Sequence, residues 1–247
     1  VVGCIDFALA VMKTYGFEQY QVELSTWDPA DRSHYMGSDG QWETANRSLE
    51  NALKRRNIEF KVMPGEAAFY GPKIDIKLVD AIGRPWQLST VQFDWNLPER
   101  FQLEYVAQDG SRKRPMMVHR ALYGSEERFF GTLIEHYAGA FPAWLCPVQA
   151  VVIPIAERHA EYGNQVADAL RAIGARVEVD ARNEKMNAKI REHALQKIPF
   201  LLVVGDKEAA AGGVNVRTRG KDKTEDMPLD AFVARMKALI ESKAAQL

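Results

Sequence analysis

Two hydrophobic periods in the first part of the chain predict helices and strands in turn. Ile5, Leu9 and Met12 recur every three to four residues, the spacing of one face of a helix. Elsewhere apolar and polar residues alternate, as they do in a half-buried strand. The polar stretch 28–41 contains three glycines or aspartates near its end and predicts a loop. The predicted helices are 4–16, 43–57 and one that Ser125 caps; the predicted strands are 21–25, 59–64, 74–79, 86–95, 103–106 and 114–119.

Two tight turns in this region indicate an antiparallel sheet. The residues from Asp80 to Gly83 separate the strand-like runs IDIKLV and WQLSTVQFDW. Asp109-Gly110 separates the strands predicted at 103–106 and 114–119. Asp-Gly between apolar strands is a strong hairpin signal, because both residues tolerate the positive φ that the turn requires. We therefore expect an antiparallel sheet with helices in this part of the chain.

The pattern changes after a short apolar connector at 141–147, which two prolines bracket. Beyond it strands and helices alternate, which predicts a small α/β domain with a mostly parallel sheet. The whole chain is thus predicted to be an α+β protein of two domains, 1–144 and 145–247. The predicted elements of the second domain are strands 148–154, 176–180, 199–204 and 213–218 and helices 157–173, 185–197 and 229–243.

Composition excludes several classes of protein. Apolar residues make up 47 % of the chain and charged residues 26 %, the balance of an ordinary globular protein. No apolar run approaches the roughly eighteen residues that a membrane-spanning helix needs. Cys4 and Cys146 form no CxxC pair, so we expect a reducing, cytoplasmic setting and no disulfide framework. The net charge of −1 gives no general affinity for nucleic acid, so any contacts with RNA must be local.

Six polar residues on or beside the predicted strands are the first candidates for chemistry. The common phosphate-binding, dinucleotide-binding and hydrolase motifs (GxxxxGKS, GxGxxG, HExxH and GxSxG) are absent. Polar groups inside a sheet need partners, and a polar ligand is one such partner. The alternative is a solvated face of the sheet, which fits any one of these residues taken singly. The six are Tyr70, Lys73, Gln87, Thr90, Gln92 and His119.

The segment Gly124-Ser125-Glu126-Glu127-Arg128 has the features of an anion site. Gly124 permits a close approach of the backbone, and Ser125 begins a helix whose exposed N–H groups attract anions. Arg128 lies one turn into that helix, where a guanidinium can hold a phosphate through two donors. The alternative is a surface arginine paired with Glu127 or another neighbour.

Three segments of the first part closely resemble the bacterial threonyl-tRNA synthetases, a family of class II aminoacyl-tRNA synthetases. They are AFYGPKIDI at 68–76, WQLSTVQFDWNLPERF at 86–101 and MVHRALYGSEERFFG at 117–131. The last contains the third signature motif of the class, in which a turn of small residues precedes an arginine that grips ATP. The resemblance continues colinearly over essentially the whole chain.

The resemblance implies a role for each candidate of the first part. Arg128 would hold the triphosphate of ATP, which binds with Mg²⁺, and would be catalytic together with Lys73. Gln87 and Thr90 would contact ATP, whereas Tyr70, Gln92 and Ser125 would line the pocket for threonine and the acceptor end of the tRNA. His119 would be one of three protein ligands to a zinc ion that selects threonine through its amino and hydroxyl groups.

The zinc site and the first two class II motifs would require residues upstream of Val1. The chain begins without methionine and already within a helical pattern, whereas natural N-termini are usually polar and loosely held. We therefore expect it to be the C-terminal portion of a longer enzyme. One histidine alone does not hold zinc, so this portion by itself is expected to be inactive.

The second part resembles the anticodon-binding domain of the same family. Its segments ARNEKMNAKIREHALQKIPFLLVVGDKE and VNVRTRG carry the likeness, and five basic residues stand against two acidic ones between Arg182 and Lys197. By composition alone this could be a solvated helix face. The positions that match RNA-contacting residues of the family are Asn183, Arg191, Glu208 and Arg217, while Lys197 stands where some relatives have arginine. Such residues can read base edges, stack on bases or hold phosphate.

Our interpretation is a threonine–tRNA ligase whose partners are threonine, ATP and threonine tRNA, with a homodimer for the full-length enzyme. The chemistry would depend on positioning and on stabilising charge at the α-phosphate, without a protein nucleophile. Two alternatives remain open at this point. One is a non-catalytic tRNA-binding or regulatory relative that kept the fold. The other is a metal-free, ATP-dependent ligase of small molecules, whose second part would bind no RNA.

Overall fold

The first part of the chain forms a sheet with two long helices, largely where periodicity predicts them. The computed structural model describes residues 1–247, which divide into two units, Val1–His136 and Tyr137–Leu247. The helices of the first part are α1 (Val2–Thr14), α2 (Asp39–Arg55), α3 (Asn96–Arg100) and α4 (Glu126–Tyr137), with one 3-10 turn at Arg32–His34. Its strands are β1 (Tyr20–Thr26), β2 (Lys61–Pro64), β3 (Lys73–Val79), β4 (Pro85–Asp94), β5 (Tyr105–Val106), β6 (Arg112–Lys113) and β7 (Met117–Ala121).

Five strands make one sheet in the order β2-β1-β3-β4-β7, and every neighbouring pair except β1 with β2 is antiparallel. One face of this sheet is apolar and packs on α1 and α2. Its buried residues come from both helices and from three strands, and they include Ile5, Trp42, Leu49, Leu53, Val22, Leu24, Ile74, Ile76 and Val91. Because side chains alternate along a strand, the opposite face carries the polar residues of the same strands.

Helix α2 begins at Asp39, four residues before the predicted start, inside the stretch predicted to be a loop. Ser38 and Gln41 form a capping box: Gln41 N donates to Ser38 Oγ at 3.3 Å, and Ser38 N donates to Gln41 Oε1 at 2.8 Å. These two bonds satisfy backbone groups that a helix end otherwise leaves unpaired. The polar residues Ser38 and Gln41 therefore cap the start of α2, whereas the polar composition of the stretch 28–41 had indicated a loop.

The hairpin predicted between 103–106 and 114–119 is wrong in its second strand. Tyr105 pairs with Lys113 and Val106 with Arg112, so the ladder after the Asp109-Gly110 turn lasts two residues. Pro115 follows and has no N–H to donate, so the ladder cannot continue through it. The chain then joins the main sheet as β7, which pairs with β4.

The second unit is built on a mixed sheet in the order β12-β11-β10-β8-β9. Strands β9, β8 and β10 are parallel, whereas β11 and β12 are antiparallel additions, so the sheet is less parallel than predicted. Its strands are β8 (Ala150–Pro154), β9 (Val177–Val179), β10 (Phe200–Val204), β11 (Gly213–Thr218) and β12 (Glu225–Pro228). Its helices are α5 (Ala160–Arg171), which follows a 3-10 turn at Glu157–His159, α6 (Met186–Leu195), α7 (Asp206–Ala211) and α8 (Leu229–Glu241).

The periodicity did not predict α7 and β12. Helix α7 spans six residues, too few to show a hydrophobic period, and ends at Gly212 in the left-handed conformation. Strand β12 is charged, ends in proline and lies at the edge of the sheet, where one side of the backbone needs no partner. The formation of both elements depends more on the neighbouring elements of the unit than on the pattern of their own residues.

Apolar residues fill both faces of the second sheet. One face packs on α5 and α8 through residues such as Val152, Leu202, Val216, Val166, Leu170, Phe232 and Met236. The other face carries Val151, Ile153 and Leu201, against which Ile190 of α6 packs. Strands covered on both sides read as continuous apolar runs, as β8 and β10 do. No helix in either unit is long and apolar enough to cross a membrane.

Candidate functional site

The polar face of the first sheet brings the candidate residues of three strands into one row. Lys73 of β3 lies opposite Gln92 of β4, and Gln92 in turn lies opposite His119 of β7. Two positions along β4, Thr90 lies opposite Asp75. Directly opposite residues of paired strands have Cβ atoms within about 5.5 Å of each other, so these side chains form one surface.

Asp75 is the centre of this polar face, and the sequence pattern did not single it out. The residue is 2 % exposed, and its carboxylate accepts hydrogen bonds from Thr90 Oγ1 at 2.9 Å and from Ser25 Oγ at 3.0 Å. Lys73 Nζ and Gln87 Nε2 donate to the same carboxylate. One buried anion thus orients three candidates at once. The charged residue between two isoleucines in a central strand was the available signal, because a buried carboxylate requires partners.

Tyr70 reaches the same face from the turn before β3. Its hydroxyl donates to Gln92 Oε1 at 3.0 Å. Gly71 allows this approach, since a Cβ there would lie 2.1 Å from the carbonyl oxygen of Phe93. The turn can therefore rest directly on the backbone of β4, which places the phenol over the row of polar side chains.

His119 is held in orientation by a second buried carboxylate. Its Nε2 lies 2.8 Å from Oδ2 of Asp94, a residue that is fully buried. The other oxygen of Asp94 accepts from the backbone N–H of Asn96 at 2.8 Å and of Leu97 at 3.1 Å, at the start of α3. A carboxylate that fixes a histidine ring is common beside metal sites. However, no group of three or more His, Cys, Asp or Glu residues suited to a metal ion occurs in this structure.

Arg128 is tied to the edge of the polar face, and no ion pair joins it to Glu127. Its Nη1 donates to the carbonyl oxygen of Gln87 at 2.8 Å, and its backbone N–H donates to Ser125 Oγ at 3.1 Å, which caps α4. Gly124 has φ +67°, and a Cβ there would lie 2.9 Å from the same Gln87 carbonyl. The start of α4 therefore lies close against β4. Gln87 touches Arg128 through its backbone and Asp75 through its side chain, which connects Arg128 to the row.

The candidates of the second unit lie on one loop, two helices and one strand. Asn183 is exposed in the loop between β9 and α6, and Arg191 is exposed on α6. Arg217 lies opposite Leu201 in the sheet, so it belongs to the face that α6 covers. Glu208 lies in α7 just after β10, where its Oε2 accepts from the Gly205 N–H at 2.9 Å.

Lys197 stands apart from this set. It adopts the left-handed conformation with φ +59°, and its ammonium donates to the carbonyl oxygen of Ala138. The ammonium group of Lys197 is thus already bonded to the backbone of its own unit. Lys197 therefore holds residue 138 in place in this structure.

Comparison with known families accounts for both units. Residues 1–137 match the model of the tRNA synthetase class II core domain (G, H, P, S and T). The chain belongs to the class II tRNA synthetases. Residues 149–239 of this class II chain match the anticodon binding domain. The predicted α+β fold class is thereby confirmed.

The relatives of the class II chain confirm the resemblance to threonyl-tRNA synthetases. It is 64 % identical over its whole length to a threonine–tRNA ligase of Acidobacterium capsulatum, and 51 % identical over 97 % of its length to one of Sulfurihydrogenibium. The chain spans 36 % of the length of each of these two proteins. Among solved structures, the RNA binding domain of threonyl-tRNA synthetase from Cryptosporidium parvum superimposes with a TM-score of 0.89 at 35 % identity, covering 100 % of this chain and 60 % of that one. A putative threonyl-tRNA synthetase from Aeropyrum pernix gives 0.77 at 27 % identity, covering 99 % and 60 %.

The second unit of the class II chain contains a buried ionic network that the sequence pattern did not predict. Its centre is Asp180, which is 6 % exposed and follows β9. Arg182 forms a two-pronged ion pair with it, Nε to Oδ1 at 2.9 Å and Nη2 to Oδ2 at 2.7 Å, and His193 Nε2 lies 2.8 Å from Oδ2. These hydrogen bonds, led by those from Arg182, hold the pKa of the Asp180 carboxyl well below its usual range. An Asp that closes a strand and precedes Arg by two residues was the only local signal.

Asp206 has a similar arrangement at the start of α7. Its two oxygens accept from Arg158 Nη2 at 2.6 Å and His159 Nε2 at 2.9 Å. Both donors come from the 3-10 turn after β8, and the hydrogen bond from Arg158 is the main cause that lowers the pKa of Asp206. The short helix that carries Glu208 is therefore held to the turn that follows β8.

Proposed function

We propose that this chain is the part of a threonine–tRNA ligase that supplies much of the substrate-binding sheet and the whole anticodon-binding domain. The proposed enzyme joins threonine and ATP into threonyl-adenylate and then transfers threonine to the 3' end of threonine tRNA. The observation that carries the proposal is the polar sheet face, on which Tyr70, Lys73, Gln87, Thr90, Gln92 and His119 converge with Arg128 at its edge. Together with the threonine–tRNA ligase relatives, this arrangement favours a substrate pocket over a solvated sheet.

In this proposal the residues act by position and charge. Arg128 presents a planar guanidinium next to the N-terminus of α4, which suits the triphosphate of ATP bound with Mg²⁺. Gln87, whose carbonyl accepts from Arg128, and Thr90, whose hydroxyl accepts from the Gln87 amide, would contact the nucleotide. Lys73 would add positive charge where negative charge grows on the phosphate during adenylate formation. Fixed charges of this kind stabilise a transition state without having to reorganise.

Threonine and the acceptor end of the tRNA would be held by Tyr70 and Gln92 together with Ser125, which lies beside Arg128 at the start of α4. These three residues offer hydroxyl and amide groups that can donate or accept hydrogen bonds. The hydrogen bond between Tyr70 and Gln92 keeps both side chains oriented before substrate arrives. Preformed polar groups discriminate well against an analogue that lacks the matching hydroxyl.

Zinc is proposed only for a longer protein. His119, oriented by Asp94, is one candidate ligand, but a zinc site needs three or four ligands. The residues of this chain alone do not provide them. Therefore His119 would serve as a ligand only together with residues that this chain does not contain.

Accordingly, the 247-residue chain alone is expected to retain no stoichiometric zinc and to make no threonyl-adenylate. Metal analysis after dialysis and threonine-dependent pyrophosphate exchange would check both points. A longer protein that restores the missing ligands should gain both properties. Equimolar zinc held by the short chain, or exchange activity from it, would contradict the proposal that both depend on residues outside this chain.

The second unit is proposed to read the anticodon of threonine tRNA. Asn183 and Glu208 can hydrogen-bond to base edges, and Arg191 and Arg217 can stack on unpaired bases or hold phosphates. Arg217 lies on the sheet face that α6 covers, and α6 carries Arg191. Single-stranded anticodon bases suit such a surface, because their edges and faces are exposed for recognition.

Anticodon recognition is tested by binding of the 247-residue chain to threonine tRNA. In Arg191→Ala and Glu208→Ala variants, the ratio of dissociation constants between altered and natural anticodons should fall by about a factor of ten or more, since a hydrogen bond to a charged group contributes about 1.5–3 kcal/mol. Filter binding at one salt concentration gives the ratio. Arg47→Ala, at an exposed side chain of α2 in the first unit, is the control. Unchanged selectivity in both variants would remove these residues from base reading.

Several wider features belong to the same proposal. We propose that residues 1–144 form the end of the catalytic domain and residues 145–247 the anticodon-binding domain. A cytoplasmic location and a homodimer are proposed for the full-length enzyme. The homodimer is checked by sedimentation of that enzyme, and a monomer at working concentration would refute it.

A further inference from the structure

We propose that Asp180 is a positioning residue for anticodon discrimination, because its buried carboxylate locks the loop that carries Asn183 onto the helix that carries Arg191. The inference rests on the proposed anticodon-reading function of the second unit. Asp180 itself lies too deep to contact RNA, with 6 % of its surface exposed. Its effect would be transmitted through the residues that it holds.

In the loop, the Arg182 guanidinium donates to both carboxylate oxygens of Asp180. Besides the two side-chain bonds from Arg182, the Arg182 backbone N–H donates to Asp180 Oδ1 at 3.2 Å. Three bonds to one carboxylate fix both the backbone and the guanidinium of the residue directly before Asn183. A planar guanidinium paired in this way has a defined orientation, whereas a lysine in its place would not.

On the helix side, three residues of α6 complete the lock. Lys189 Nζ donates to the Asp180 carbonyl oxygen at 2.9 Å, and His193 Nε2 meets the Asp180 carboxylate at 2.8 Å. Glu192 Oε2 accepts from the outer side of Arg182 at 2.8 Å. Lys189 and His193 are one turn apart on the buried side of α6. The helix is therefore fixed to the loop at two levels along its axis.

The candidate RNA contacts lie just outside this lock. Asn183 follows Arg182, and Arg191 lies between Lys189 and His193 on the exposed side of α6. A cavity of about 470 Å³ opens beside the loop and is lined by residues that include Arg182, Asn183, Glu184 and Lys189. Hydrogen bonds to a base edge weaken steeply when the donor angle or distance changes. Discrimination between bases thus depends on the loop and α6 keeping one relative position.

A merely structural role for Asp180 predicts a different result. Loss of stability alone would lower the fraction of chain that binds, for natural and altered anticodons alike. The ratio of the two dissociation constants would then stay constant. A positioning role changes that ratio, because the backbone-phosphate contacts that are blind to sequence survive while the base contacts do not.

The experiment measures that ratio with the 247-residue chain. Dissociation constants are determined at one salt concentration for a threonine tRNA transcript and for transcripts with single anticodon changes. Asp180→Asn, which keeps the shape of the side chain, should lower the ratio about tenfold or more, the size of one lost hydrogen bond to a charged group. Binding to the altered transcripts should change by less than about twofold, a difference smaller than one neutral hydrogen bond. Asp168→Asn is the matched control, because Asp168 is exposed on α5 and its substitution changes the net charge equally.

Arg182→Lys is the second variant, since it keeps the charge and the buried carboxylate while removing the two-pronged geometry. It should lower the ratio in the same direction as Asp180→Asn. If both variants are folded by circular dichroism and keep the natural ratio, the positioning role of Asp180 is refuted. If the unsubstituted chain already binds all transcripts equally, the anticodon-reading function itself is refuted, and the inference about Asp180 with it.

Discussion

Replacing Asp75 with alanine is expected to lower the free energy of unfolding of the first unit by about 3–5 kcal/mol, the cost of leaving one partner of a buried ion pair without its counter-charge. Lys73, whose side chain is 18 % exposed, would keep its ammonium near the sheet without the Asp75 carboxylate. Thr90 and Ser25 would lose the acceptor of their hydroxyl groups at the same time. Each unsatisfied buried group adds to the loss.

Urea unfolding followed by tryptophan fluorescence measures this loss. Four of the five tryptophans, namely Trp27, Trp42, Trp86 and Trp95, lie in the first unit, so the signal reports mainly on that unit. Asp6→Ala is the control, because Asp6 forms a half-exposed ion pair with Arg56, and exposed pairs contribute about 0–1 kcal/mol. If Asp75→Ala shifts the transition no more than Asp6→Ala does, Asp75 is not the centre of the polar face.

Arg128→Lys is expected to slow adenylate formation about tenfold or more while leaving the fold unchanged. A charge-assisted hydrogen bond contributes about 1.5–3 kcal/mol, and about 1.4 kcal/mol corresponds to a factor of ten in rate. Lysine would keep one positive charge but lose the second donor toward phosphate. It would also lose the hydrogen bond to the Gln87 carbonyl, which aims the guanidinium along the polar face. The measurement is threonine-dependent pyrophosphate exchange in a full-length enzyme that contains this chain.

The control for Arg128→Lys is Arg47→Lys, at an arginine on α2 that pairs with Glu43 on the surface. Both variants should melt within about 2 °C of the unsubstituted protein, because a surface substitution changes stability by at most about 0.5 kcal/mol. Nearly normal exchange with a lowered melting temperature would show that Arg128 stabilises the start of α4 and does not act on ATP. Threonine binding should change much less than exchange in the Arg128 variant.

Much of the secondary structure follows from the sequence, because the spacing of apolar residues within a helix or strand reflects which of its side chains are buried. Strand β11 has the predicted bounds, and α8 begins at the predicted Leu229. The alternation of apolar and polar residues along β3 and β4 also places Lys73, Thr90 and Gln92 on one side of their strands. Gln87 reaches the same side only because the register of the two strands shifts between Ile76 and Lys77, which alternation does not predict. By contrast, α7 and β12 are too short or too polar to carry a period, so nothing local distinguished them from loops.

Among the candidate site residues, the local pattern and the resemblance contributed different parts. The pattern singled out polar residues on strands, together with the anion-attracting segment around Arg128. The functional role of each came from the family resemblance, since a side chain alone does not specify its ligand. Neither source selected Asp75, Asp94 or Asp180, because each carboxylate is recognised only by the partners that the fold brings to it.

The sequence by itself determined the longer helices and strands and the polar face of most of them, since these depend on periods of two and 3.6 residues within a segment. The tertiary structure alone decided which strands pair and which charges meet. Nothing within residues 117–121 identifies their partner strand, yet they pair with β4 and place His119 opposite Gln92. Likewise Asp180 meets His193 only because α6 packs back on the parallel strands. Such contacts join residues far apart along the chain, and their free energy depends on the burial and register of the whole sheet, which no local window contains.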